Sequence, residues 1–272
     1  MAASYNFDEY KLLGEPEKAE KSAIWQAAIG LQQVDGLTPS DYLIETAKSH
    51  IEGEISIHEV HEQLNGYYEA RSAQSSDDRT EEADKVSARI AEILSERAFS
   101  FNPAEYITIH KRLFSDMYGH AGQIRDYNIS KAEWVLGGET VLYASAQSIR
   151  ATLDYDFGQE RAFIYKGLDR EQTVGHIAEF VSGLWQIHAF GEGNTRTTAV
   201  FVIKYLRTLG FDVENDLFAK HSWYFRNALV RANYNDYKNE IYSTNEYLRL
   251  FLGNLLLGEQ NTLNNRDLLV GR

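Results

Sequence analysis

The chain has 272 residues, of which 43% are hydrophobic and 25% are charged, and its 40 acidic and 27 basic residues give a net charge of −13. These values are ordinary for a soluble globular protein, and the length is sufficient for a proper hydrophobic core. No apolar run approaches the ~18 residues that would span a bilayer. The acidic balance, without a basic block, argues against a nucleic-acid partner.

The N-terminal residues lack a basic region followed by an apolar stretch, so the sequence predicts no secretory signal peptide. The absence of cysteine excludes a disulfide framework and thiolate chemistry. We therefore expect a cytoplasmic protein, or one delivered into other cells, with neither a nucleic acid nor a membrane as its partner.

Apolar residues at helical spacing predict a first helix over residues 17–33, which Asp35-Gly36 ends. The run Thr38-Pro39-Ser40-Asp41 predicts a second helix start, with Pro39 just inside the helix, and Gly53 ends this helix. Ser56 caps a third helix that continues to Tyr68. Residues 73–79 have the composition of a linker.

The rest of the chain is predicted to be mainly helical. A charged amphipathic helix precedes another that starts at Asn102-Pro103, and four more are predicted at about 170–187, 195–209, 217–232 and 235–257. Between residues 127 and 143, two short strand-like runs flank Gly137-Gly138 and predict a β-hairpin.

The segment from Ile187 to Arg196 combines a histidine, an apolar anchor, a carboxylate and an arginine, and it leads directly into a buried helix. The first N–H groups of a helix have no intrahelical partner and favour anions. A guanidinium suits phosphate, a carboxylate suits a divalent cation, and an imidazole suits proton transfer. The chemical groups of a nucleotide-handling site are therefore found within ten residues.

This segment resembles the signature loop of the Fic family, which reads His-Pro-Phe-x-(Asp/Glu)-Gly-Asn-Gly and continues with two arginines. The matching positions are His188, Phe190, Glu192, Gly193, Asn194 and Arg196. The departures are Ala189 for proline, Thr195 for glycine, and Ala199 for the last arginine. Gly122-Gln123-Ile124-Arg125, followed by the predicted hairpin, is similar to the segment that leads into the family's flap.

The resemblance implies a mainly α fold, a Fic-fold helical bundle with a β-hairpin flap, preceded by a small N-terminal helical module. Residues 1–72 are expected to form an N-terminal arm and an antitoxin-like inhibitory module, and residues 73–99 a linker with a connecting helix. Residues 100–250 are expected to form the Fic catalytic core, and residues 251–272 the end of a C-terminal helix and a tail. We use "flap" for residues 127–143. The flap residues expected to bind the target are Trp134, Val135, Leu136, Val141, Leu142 and Tyr143.

The activity implied by the resemblance is transfer of AMP from ATP to a Ser, Thr or Tyr hydroxyl of a target protein, with modification of the chain itself also expected. His188 would be the general base and Glu192 would hold Mg²⁺. The phosphates would bind to residues of the loop, namely Gly193, Asn194, Thr195 and Arg196. Phe190 would anchor the loop, and Tyr234-Asn235-Asp236-Tyr237 is the candidate for stacking adenine.

The N-terminal helices resemble an antitoxin-type module with the inhibitory motif (Ser/Thr)-x-x-x-Glu-(Gly/Asn). Glu52-Gly53 matches the end of this motif, whereas Lys48 stands at its Ser/Thr position. In the family the glutamate pairs with the final arginine of the signature, which is Ala199 in this chain. We expect Glu52 to inhibit the enzyme, with Lys48 able to pair with it at i and i+4.

Two other interpretations remain open from the sequence. The altered positions Thr195 and Ala199 are compatible with transfer of a different phosphate-containing group. A catalytically degenerate, toxin-like binding module is the third interpretation. The presence of His188, Glu192 and Asn194 together argues against it, since a fold requires none of these side chains.

Overall fold

The computed structural model describes residue 7 and residues 16–71, 79–213 and 216–271. This part of the chain forms ten α-helices and no β-strand, which confirms the mainly α prediction. None of these helices is both long and apolar enough to span a membrane. The helices are α1 Pro16–Gly30, α2 Asp41–Glu52, α3 Ile57–Arg71, α4 Thr80–Ser95, α5 Pro103–Phe114, α6 Ile149–Ala162, α7 Arg170–Ile187, α8 Asn194–Thr208, α9 Asp216–Ala232 and α10 Glu246–Leu257.

Side-chain caps fix several helix starts where the sequence predicted them. Ser40 accepts a hydrogen bond from the Leu43 N–H, so Ser40 is the cap and Pro39 lies just outside α2 rather than inside it. Ser56 and Glu59 form a reciprocal capping pair at the start of α3. The described residues also form four short 3₁₀ segments, which are Leu31–Asp35, Trp134–Leu136, Tyr237–Asn239 and Asn265–Leu268.

The central element is α8, which is buried continuously from Asn194 to Leu206. It packs against α4, α5, α7 and the 3₁₀ segment Leu31–Asp35. A helix that is buried on every side has to be surrounded by other elements, and here one of them comes from the N-terminal region.

The N-terminal helix shares the core of the rest of the protein. Helix α1 packs on α4 and α9, and a single hydrophobic cluster contains Phe7, Trp25 and Leu268. At the α1–α9 crossing the Ser222 hydroxyl donates to the Gly30 carbonyl at 2.7 Å, and a Cβ on Gly30 would overlap the Ala219 backbone. The division at residues 1–72 stays a prediction, and most of the predicted linker lies outside the described residues.

The predicted β-hairpin in the flap is wrong. Its turn is present, because the Glu133 N–H donates to the Glu139 carbonyl and Gly137 and Gly138 have positive φ. Beyond the turn the two arms are bridged by a side chain instead of a ladder: the Lys131 N–H donates to Thr140 Oγ1 at 3.1 Å. A groove of about 430 Å³ lies between residues 128–130 and 140–145.

In the second arm of the flap, which follows Gly137-Gly138, side chains nevertheless alternate between buried and exposed, as expected of a half-buried strand. Val141 and Tyr143 are buried, whereas Leu142 between them is 84% exposed. Trp134 is also exposed, while Val135 and Leu136 pack into the core. Among the described residues, this arm is not paired with any strand.

Two helix predictions also need correction. Helix α6 was not predicted, because Asp154, Asp156 and Gly158 weaken its helical pattern. The helix expected over 235–257 begins only at Glu246. Before it, the Asp236 carboxylate accepts hydrogen bonds from the Lys238 and Asn239 N–H groups, which favours a turn over a helix.

We expect Gly30→Ala to lower the free energy of unfolding by about 1–3 kcal/mol, because the new methyl group meets the backbone of α9. Gly66→Ala, on the exposed face of α3 with no atom near the added Cβ, should raise it by roughly 0.5–1 kcal/mol. Urea unfolding of the two variants measures both effects. Equal changes in the two variants would contradict the close crossing of α1 and α9.

Candidate active site

His188 lies at the end of α7, in the left-handed region with φ 49 and ψ 56, which is uncommon for a residue other than glycine. Its imidazole is 3% exposed, and the Tyr143 ring lies over it with the ring centroids 4.1 Å apart. Within the described part of the chain, neither ring nitrogen has a hydrogen-bond partner. A buried polar group without a partner is a candidate functional group.

The surroundings of His188 keep its imidazole neutral. Burial holds its pKa well below the usual value, and the positive charges of Lys131 and Arg226 add to this effect. At neutral pH the ring therefore has a free lone pair, which is the form that can accept a proton.

The loop after His188 is anchored by a second histidine, His110 on α5. Phe190 stacks on the His110 ring with the centroids 3.7 Å apart. The His110 Nδ1 accepts a hydrogen bond from the Gly122 N–H, so its proton is on Nε2 and donates to the Glu192 carbonyl at 3.0 Å. The sequence placed His110 in a helix but gave no sign of this contact.

The side chains of several predicted phosphate-binding residues hold the loop together. The Asn194 amide closes a ring with the Phe190 backbone, accepting from its N–H at 2.9 Å and donating to its carbonyl at 2.8 Å. Thr195 Oγ1 accepts from the Trp185 indole N–H. Gly193 has φ 71, and a Cβ there would overlap the Phe114 ring, so the position requires glycine.

The structure places Arg196 inside the protein, not on an open phosphate site. The side chain is 1% exposed, and its guanidinium lies over the Phe114 ring. It forms ion pairs with Asp35 at 2.8 Å and Glu82 at 2.7 Å and donates to Gln32 at 3.0 Å. These three partners come from the 3₁₀ segment Leu31–Asp35 and from α4.

Arg125, which belongs to the Gly-Gln-Ile-Arg run, fastens the flap to the signature loop. It donates to the carbonyls of Tyr127 and Ala144 on one side and to those of His188 and Ile187 on the other, at 2.5–3.3 Å. Positive charge at the C-terminus of α7 is favourable because the last carbonyls of a helix are unpaired and partly negative. The sequence singled out this run without assigning it a contact.

The base of the flap is held by a second arginine, which the sequence did not identify. Arg226 on α9 makes two contacts of 2.9 Å with the buried carboxylate of Glu133 and one of 3.4 Å with Asp35. Glu133 also accepts from the Tyr143 hydroxyl at 3.3 Å. The ring that covers His188 is thus tied to Arg226.

Glu192 differs from the rest of the loop because its side chain is about half exposed, at 52%. Its carboxylate lies 3.3 Å from the ammonium of Lys131 in the flap. No group of three or more possible metal ligands occurs among the described residues. A single exposed carboxylate nevertheless fits Mg²⁺ that is carried largely by substrate phosphates and water, since Mg²⁺ often has only one or two protein carboxylate ligands.

The predicted inhibitory residues lie at the end of α2. Glu52 pairs with Lys18 of α1 at 2.8 Å, and Gly53 ends the helix with φ 81. Lys48 pairs with Glu45 rather than with Glu52, so the expected i, i+4 pair is wrong. Of the adenine candidates, Tyr234 is buried and Tyr237 is exposed beside Tyr242.

Three findings from comparison with known proteins bear on this site. The model of the Fic/DOC family matches residues 100–206, so this part of the chain is similar to a Fic/DOC domain. Protein adenylyltransferase VbhT of Bartonella schoenbuchensis is 28% identical over 108 residues, which are 40% of this chain and 21% of that protein. Probable protein adenylyltransferase y4lH of Sinorhizobium fredii is 28% identical over 131 residues, 47% of this chain and 64% of that protein.

Among solved structures, the N-terminal FIC domain of the Bep8 protein from Bartonella sp. 1-1C has a TM-score of 0.49 and 19% sequence identity, over 63% of this chain and 81% of that one. The chain spans about a fifth of the length of VbhT and less than two thirds of that of y4lH.

We expect Arg196→Ala to lower the free energy of unfolding by about 3–5 kcal/mol, because it leaves the Asp35 and Glu82 carboxylates without their buried cation. Arg150→Ala, on an exposed position of α6, is the matched control and should have little effect. Denaturant unfolding compares the two. An unchanged stability of Arg196→Ala would contradict the structural role of Arg196.

Acid should destabilise the protein through its buried histidines. Burial lowers the pKa of both His50 and His110 to about 4. Below the unfolded-state pKa of about 6.5 the unfolded chain binds protons that the folded chain does not, so stability falls as pH decreases. From about pH 7 to about pH 5.5, each histidine should contribute a loss of about 1 kcal/mol.

Urea unfolding at the two pH values measures this loss. His50→Gln should reduce it, because the glutamine oxygen can still accept from the Trp25 N–H and does not titrate. His58→Gln, at an exposed position of α3, should leave it unchanged. If wild type, His50→Gln and His58→Gln all lost the same free energy of unfolding, His50 would not be a source of the acid sensitivity.

Proposed function

We propose that this chain is a protein adenylyltransferase that transfers AMP from ATP to a Ser, Thr or Tyr hydroxyl of a target protein. The observation that carries the proposal is the neutral imidazole of His188, with both ring nitrogens unpartnered, in the same loop as the exposed Glu192 carboxylate. The Fic/DOC match over this region and the printed names of VbhT and y4lH support a transferase of this class.

In the proposed reaction a ring nitrogen of His188 takes the proton of the target hydroxyl. The hydroxyl oxygen then forms a bond to the α-phosphorus of ATP, and the bond from that phosphorus to the bridging oxygen breaks, which releases pyrophosphate. A base with a depressed pKa is already unprotonated over the physiological range, so no prior loss of a proton from His188 is needed.

The loop offers different groups to the nucleotide. Bound Mg²⁺ would neutralise charge on the phosphates, and Glu192 is the residue that would hold it. The side chains of Asn194, Thr195 and Arg196 are engaged within the protein. We therefore propose that residues 193–196 contact the phosphates through their backbone N–H groups at the start of α8.

Access to His188 requires movement of the flap, because the Tyr143 ring covers the imidazole. The same flap carries the exposed Trp134 and Leu142 side chains and the groove between its arms. We assign target binding to this region: an extended segment can use main-chain hydrogen bonds there while its hydroxyl approaches His188.

The experiment is incubation of wild type and His188→Ala with ATP and Mg²⁺, followed by intact mass measurement and by labelling from α- or γ-phosphate. We expect the protein to gain one AMP, with label from the α-phosphate only, and this gain to disappear in His188→Ala. Label from the γ-phosphate alone would instead establish transfer of a different phosphate-containing group. No label from either position would contradict a transferase that modifies itself with ATP.

The same assay tests inhibition by Glu52. Glu52→Gly should increase the amount of AMP incorporated if Glu52 restrains the enzyme, whereas Glu54→Gly, at an exposed position two residues further, should not. Equal incorporation in wild type and Glu52→Gly would remove Glu52 from the proposal and leave the transferase assignment intact.

A further inference from the structure

Among the described residues, four cationic side chains lie around the His188 loop, and the guanidinium groups of three of them are held by carboxylates or carbonyls of the protein. Arg125 donates only to carbonyls, and Arg196 is enclosed by Asp35, Glu82 and Gln32. Arg226 is held by the Glu133 carboxylate through two contacts of 2.9 Å and donates to the Val34 carbonyl. Releasing any of these guanidinium groups would leave a buried carboxylate or several carbonyls without a partner, which is costly.

Lys131 is the fourth cation, and its situation is different. Its side chain is 23% exposed, and its ammonium contacts Glu192, whose side chain is itself half exposed. A surface ion pair of this kind is weak, so exchanging it for another anion costs little. A lysine on a flexible stem can also move between partners more readily than a guanidinium held by a fixed set of acceptors.

The backbone places Lys131 where it can reach both functional groups of the loop. Its N–H is fixed by Thr140 Oγ1, so the residue lies where the two arms of the flap are bridged. Among charged groups its ammonium has the largest effect on the pKa of His188, which it lowers. The contact with Glu192 brings this charge to the loop just before the start of α8.

We propose that Lys131 is the side-chain cation that binds the phosphate oxygens of the nucleotide, releasing Glu192 to the divalent cation. This proposal rests on the proposed function. It assigns the positive charge that contacts the phosphates to the flap, because Arg196 is enclosed by protein partners and position 199 is an alanine. Ala199 is fully buried in α8, so the signature helix has no exposed position for a second cation there. The nucleotide is then held between the loop and the flap.

Nucleotide binding measured by calorimetry, without target protein, tests the proposal. Lys131→Ala should weaken ATP binding about tenfold to a hundredfold, the effect of losing one charge-assisted hydrogen bond, and should leave adenosine binding unchanged. Lys131→Arg should recover most of the affinity. Lys166→Ala, at an exposed position after α6, is the matched control and should bind ATP as wild type does.

A second comparison uses metal-free ATP in the presence of a chelator. Glu192→Gln removes the carboxylate that competes for the Lys131 ammonium, so it should bind metal-free ATP more tightly than wild type. The double variant Lys131→Ala/Glu192→Gln should lose this gain. A gain that persists in the double variant would show that Lys131 is not the group responsible.

The proposal is overturned if Lys131→Ala binds ATP as wild type does, or if it loses ATP and adenosine affinity equally. Its failure can be distinguished from failure of the proposed function. Weaker ATP binding by Lys131→Ala in a protein that transfers no AMP would support the phosphate contact and contradict the transferase. Normal AMP transfer with unchanged ATP binding in Lys131→Ala would contradict the phosphate contact and support the transferase.

Discussion

The buried charge of Arg196 is the constraint on which much of this structure depends. A guanidinium cannot remain charged inside a core without carboxylates and hydrogen-bond acceptors around it. Here they are Asp35 and Gln32 from the 3₁₀ segment Leu31–Asp35 and Glu82 from α4. The N-terminal region therefore completes the environment of the signature helix α8, and the packing of α1 on α4 and α9 positions the residues that do so.

From this cluster a continuous series of contacts leads to the imidazole of His188. Asp35 contacts Arg226 as well as Arg196, Arg226 is bonded to Glu133, and Glu133 accepts from the hydroxyl of Tyr143. The Tyr143 ring covers His188. The position of the flap over the imidazole is thus set by charges that lie on α8, α9 and the N-terminal 3₁₀ segment, while Arg125 fixes the flap to the carbonyls at the end of α7.

The sequence predicted those features that depend on local patterns. It predicted the caps at Ser56 and Asn102, the helix end at Gly53 and the apolar periodicity of most helices. A cap or an apolar helix face can be predicted because it is encoded within a few neighbouring residues. The β-hairpin could not be judged in this way. Its turn residues are suitable, but strand pairing depends on what lies between the arms, and here Thr140 and Lys131 bridge them instead.

The same distinction applies to the site. The motif identified the loop and the histidine, but it could not show which side chains face outwards. Arg226, Glu133 and His110 are distant in sequence from the signature, and only the folded chain brings them to it. Their buried positions gave no signal of function, since a buried histidine or an ion pair is also common in ordinary cores.

Within the signature itself, most of the conspicuous residues build the loop. Phe190 stacks on His110, Asn194 closes the loop onto the Phe190 backbone, and Arg196 fixes the first turn of α8. Functional atoms that are not tied to the loop remain on two residues, the ring nitrogens of His188 and the carboxylate of Glu192. A loop built in this way can keep its shape when the substrates change. Because its own arginine is part of that construction, further positive charge for a nucleotide has to come from another segment, and the flap is the segment that lies over it.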